Sequence, residues 1–199
     1  AQYETLSDDV GLQLLALADR TLDRGLSQFA LILASHSCGP NIRGRIWALV
    51  HIPESRWIRL DALDALADAD LVESDIVSQV TAQLLLQLPA VLAVPATVLL
   101  GNHAPVAEVV RILERVANSN KRRALLLIGA VTLASRDLDA ARRVLDLLEP
   151  NHPARAILDA TEPLPVSILD DLGKIRLRRA VRERLGGRLA EAQTIPATG

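Results

Sequence analysis

Aromatic side chains are almost missing from this chain: Tyr3, Phe29, Trp47 and Trp57 are all there are, 2% of 199 residues, although half the residues are hydrophobic. A core must therefore be assembled from Leu, Val, Ile and Ala, which suits closely packed helices and serves most β-sandwiches poorly. Methionine is absent, which excludes the pliable thioether surfaces of promiscuous helix binders. The single Cys38 excludes an internal disulfide and agrees with a reducing compartment. Lysine occurs only at Lys121 and Lys174, so arginine carries nearly all the positive charge. With abundant Ala and Leu, that bias points to a GC-rich bacterial genome. The start, Ala1-Gln2-Tyr3-Glu4-Thr5, lacks the basic-then-apolar pattern of a secretory leader, and a cytoplasmic location is expected.

A second absence is local. Between Asp75 and Glu108 there is no Asp, Glu, Lys or Arg, and Leu84–Leu100 is almost wholly apolar. About 20 apolar residues suffice to span a bilayer, and the flanks, acidic before and Arg111 to Arg123 after, would suit a span. Gln79, Gln83 and Gln87 recur every four residues along one helical face, and Pro89 and Pro95 each delete a backbone donor. These features favour two short helices split at Pro89, apolar all round because they lie at the centre of a packed domain.

The remainder reads as short helices punctuated by Pro, Gly, Asn and Ser, with no period-two alternation over a strand length. Ser7 is placed as the N-cap of a helix to about Arg24, with Val10, Leu14 and Leu17 on one face. A second helix runs through Leu26, Phe29 and Leu33 and ends before Cys38-Gly39-Pro40. A third carries Ile42, Ile46, Leu49 and Val50, and a fourth, capped by Ser55, turns Trp57, Leu60, Leu63 and Leu66 inward. Ser74 and Pro89 open the fifth and sixth. Pro105 opens the seventh, which has the clearest amphipathic stripe, and the eighth covers Lys121 to Ala134. Asp137 caps the ninth. A tenth covers Ala154 to Thr161, and a basic helix runs from about Lys174 to Leu185. Short turns between such helices imply antiparallel neighbours. The expected fold is all-α, about eleven helices in stacked antiparallel hairpins (α-solenoid-like) or a compact helical bundle. It forms one domain over 1–190 with a frayed tail at 191–199.

Residues 24–65 and 123–160 share an order of apolar helix, polar turn, amphipathic helix and Pro turn, as stacked repeats do. Gly129, Ala141 and Pro153, within Leu126-Leu127-Ile128-Gly129, Asp137–Leu145 and Glu149-Pro150-Asn151-His152-Pro153-Ala154, resemble a tetratricopeptide repeat over residues 125–156. That family's aromatic positions are not filled. Upstream, Arg59-Leu60-Asp61-Ala62-Leu63 looks HEAT-like. The resemblance to helical repeats implies a protein that binds other proteins in the groove between hairpins.

Groups that could carry chemistry are sparse. His36 and Cys38 are two residues apart, but helix-end filler explains them more simply than a nucleophilic pair. No second Cys/His cluster has zinc spacing, so no metal or cofactor is expected. His51, His103 and His152 sit at turns. Asp61, Asp64, Asp68, Asp70, Asp170 and Asp171 read mostly as surface carboxylates. There is no glycine-rich phosphate loop, G-x-S-x-G elbow or H-E-x-x-H, and a non-enzymatic role is expected.

The net charge of −2 conceals opposed ends: residues 1–75 hold twelve acids against six arginines. Seven bases (Lys174, Arg176, Arg178, Arg179, Arg182, Arg184, Arg188) meet Glu183 alone near the C-terminal end. Such a gradient can steer a charged partner or favour head-to-tail self-contact. The expected function is protein–protein interaction as a scaffold, adaptor or assembly and secretion chaperone. Arg43, Arg45, Trp47, Trp57, Lys174, Arg178 and Arg182 are the candidate partner-binding residues. The partner would be another protein, acidic or bearing an apolar helix, with homo-oligomers as a further option. Two alternatives are nucleic-acid binding through the basic helix and membrane association through 84–100. The slightly acidic balance and the lack of any aromatic after Trp57 count against nucleic acid.

Overall fold

The computed structural model describes residues 6–52, 56–117, 123–134 and 136–148. Nine α-helices and no strands occur among the described residues. The expected tenth and basic C-terminal helices, and the tail from 191, lie outside them. The chain divides into two compact units, Ala1–Pro105 and Val106–Gly199.

The first unit contains α1 (Asp8–Arg20), α2 (Arg24–Ser37), α3 (Pro40–Leu49), α4 (Arg56–Asp68), α5 (Ser74–Leu85) and α6 (Ala90–His103). Local chemistry sets several boundaries. The Ser7 hydroxyl accepts from the Val10 amide and the Asp23 carboxylate from the Leu26 amide, each satisfying an otherwise orphaned donor. Helix α1 stops at Arg20, earlier than expected, because Thr21 adopts an extended conformation. Pro40 takes the first helical position of α3, where its missing N–H costs nothing.

The charge-free window resolves into α5 and α6 joined by a tight turn. Gln87 has φ 69°, the Leu88 amide bonds the Gln83 carbonyl (3.3 Å) and the Gln87 amide bonds the Leu84 carbonyl (3.2 Å). This is the Schellman closure, with Gln in the left-handed position that glycine usually fills. Pro89 then serves as the N-cap of α6. Helix α6 continues through Gly101 and Asn102 to His103, and Pro95 is accommodated inside it. Side chains from Leu92 to Leu100 are buried apart from Val94, and α6 packs on α4 and α5. No described helix is long and apolar enough to cross a membrane.

Helix α4 also packs against α2 and α3, and its residues Asp61–Ala67 are buried except Asp64. Close approach depends on small residues. A Cβ at Gly11 of α1 would fall 2.6 Å from Ile42 Cγ1 and 3.0 Å from Cys38 Sγ, so glycine lets α1 settle on the α2–α3 corner. The apolar stripe of α1 turns away from this contact. Gly11 and Ala18 are the helix's buried residues, while Val10 and Leu17 are 38% and 40% exposed. Likewise, α2 buries Ser27, Ala30, Leu31, Ala34, Ser35 and Ser37, and leaves Phe29 61% exposed. Small residues win the interface because they bring the backbones closer than Leu or Phe would allow.

The second unit contains α7 (Val106–Ala117), α8 (Arg123–Ala134) and α9 (Leu138–Asp146), with α7 packed on both others. Val109, Val110, Ile112, Leu113 and Val116 form the buried stripe of α7. The Asp137 carboxylate accepts from the Ala140 amide at 2.8 Å and starts α9, as its sequence position suggests. Gly129 of α8 lies where a Cβ would meet the Leu113 side chain of α7, and Ala141 of α9 is buried.

Glycine substitutions separate close packing from helix propensity. Gly11→Ala should lower stability in urea denaturation by about 1 kcal/mol, overpacking outweighing the propensity gain. Gly44→Ala, exposed in α3 with nothing within 4 Å of the new Cβ, should raise it by about 0.5–1 kcal/mol.

Candidate functional site

Arg43 and Trp47 of α3 and His51, just past its end, recur every four residues and reach toward α5. Arg43 donates to the Oε1 atom of Glu73, the α5 N-cap, from Nη2 at 2.6 Å and from Nε at 2.8 Å. Its Nη1 donates to the Cys38 carbonyl at 2.6 Å. Trp47 Nε1 donates to Gln79 Oε1 at 2.8 Å, and the Nε2 atoms of His51 and Gln83 lie 3.5 Å apart. The His51 ring meets Trp47 edge-on, with centroids 4.9 Å apart. Gln79 and Gln83, two of the glutamines that spoke against a membrane span, are thus rungs of a ladder against α3 and the turn after it, while Gln87 lies in the turn past α5.

Arg43 and Trp47, two of the expected partner-binding residues, are therefore buried within the unit and occupied by internal hydrogen bonds. Arg45 is exposed, and so is Trp57, which was expected to turn inward. The Arg24 guanidinium stacks over the Trp57 ring at 4.1 Å and reaches Asp61 at 3.3 Å. Asp61 is only 2% exposed, a correction to its reading as a surface carboxylate. Lys174, Arg178 and Arg182 lie outside the described residues.

His36 and Cys38 engage different neighbours. The His36 ring nitrogens lie 3.7 Å from Asp68 and 3.6 Å from Asp70. Cys38 is buried at the end of α2, where desolvation first and the Asp8 carboxylate second push its thiol above the ordinary value, with Arg43 opposing. A thiol held in its neutral form is a poor nucleophile. Among the described residues, no group of three His, Cys, Asp or Glu side chains could hold a metal ion.

What remains is an apolar face. Antiparallel α1 and α2 are held by the Leu6 amide on the Ser37 carbonyl (2.6 Å) and the Ser27 hydroxyl on the Ala18 carbonyl (3.0 Å). In that register Val10 stands opposite Leu33, Leu14 opposite Phe29 and Leu17 opposite Leu26. Both stripes are rotated about a quarter turn from the lines where the helices meet. In antiparallel helices that same-sense rotation brings both stripes to one side. The Ser35 hydroxyl donates to Ala65 of α4 at 2.9 Å from the opposite side of α2. The hairpin thus turns Val10, Leu17, Leu26 and Phe29 outward, with Leu14 and Leu33 half-buried between them and Leu22 fully exposed in the turn. Pattern reading found Val10, Leu14 and Leu17 on one face of α1 and Leu26, Phe29 and Leu33 along α2, without saying which way they turn.

No family model, curated protein or solved structure matches this chain.

Two outcomes test the structural roles. Arg43→Met should lower stability by about 2–4 kcal/mol in urea denaturation, because it strands the mostly buried Glu73 carboxylate and the Cys38 carbonyl. For Cys38 the folded pKa is raised, so the folded state holds its proton more tightly. Stability is then complete below the unfolded thiol pKa, about 8.5, and falls as pH rises above it. Cys38→Ser should flatten that alkaline slope in denaturation curves recorded between pH 7 and 10.

Proposed function

We propose that this protein is a non-catalytic helical-repeat protein that mediates protein–protein interaction, as a scaffold, adaptor or assembly chaperone. The observation that carries the reading is the outward apolar face of the α1–α2 hairpin. Contiguous apolar surface of this kind on a charged protein marks an interaction site rather than ordinary surface scatter. Leu and Phe side chains offer a partner dispersion and desolvation without any reaction chemistry. The polar clusters beneath the face are committed to holding helices: Arg43 to Glu73, Trp47 to Gln79, Arg24 to Asp61. The resemblance of residues 125–156 to a tetratricopeptide repeat supports the same reading by analogy, since such hairpins serve as binding surfaces elsewhere.

Affinity capture from the native host with wild-type chain and with a Leu17→Ser/Phe29→Ser variant tests this reading. Both positions are exposed, so the variant should keep its helical circular dichroism and its urea midpoint. The expected result is one or more proteins retained by the wild type and lost with the variant. Equal retention by both would place the interaction elsewhere.

A further inference from the structure

We draw no further inference here: the strongest candidate, the outward apolar face of the α1–α2 hairpin with Leu17 and Phe29 exposed on it, belongs to the site already described, and nothing in the structure shows what covers it.

Discussion

Helices of ten to fourteen residues leave a large share of their backbone unpaired, because the last four carbonyls of each have no partner within the helix. In the first unit, neighbouring side chains meet this need at one helix after another. Ser27 donates to Ala18 in the last turn of α1, Arg43 to Cys38 just past α2, and Arg59 to Val50 just past α3. Ser35 and Asn102 donate to Ala65 and Ala67 in the last turn of α4. Each bond is also a tertiary tie, so satisfying a helix end and locking one helix to another are the same event. Positive charge at Arg43 and Arg59 further complements the negative ends of α2 and α3.

That constraint explains why a chain so poor in aromatics packs so closely. Ala, Gly and Ser at the contacts bring helices near enough for short polar side chains to reach a neighbour's backbone. The larger apolar residues of α1 and α2 are displaced from those contacts as a result. The buried centre falls to α4 and α6, and α6 reaches it by having no charge at all. What the hairpin turns outward is thus a consequence of how it is held from beneath.

Much of this was legible in the residues. The absence of charge from Asp75 to Glu108 identified the interior, and Pro89 marked the division between its helices. Ser7 and Asp137 announced helix starts because capping is local chemistry, visible within four residues. The orientation of an amphipathic helix is not local. Val10, Leu14 and Leu17 form a stripe whichever way they face, and only the contact at Gly11 shows that the glycine side was chosen. A signal existed in Gly11 and Ala18, seven residues apart, but small residues score poorly as core. Arg43 and Trp47 looked like groove residues for a related reason: their partners Glu73 and Gln79 are some thirty residues distant, and pairing over that span leaves no periodic trace. Asp61 misled similarly, since Arg24, its partner, belongs to another helix.

The central claim, that side chains from neighbouring helices cap the helix ends of the first unit and tie it into one cooperative body, predicts a specific pattern of stability. Native-state hydrogen exchange, read residue by residue, tests it most directly. Amides in the last turns of α2, α3 and α4 should exchange at rates close to those of global unfolding, despite their terminal positions. Those of Leu86 and Gln87, at the self-closed end of α5, should exchange much faster. If the ends of α2, α3 and α4 fray as readily as the end of α5, the ties do not hold the unit together and the account is wrong.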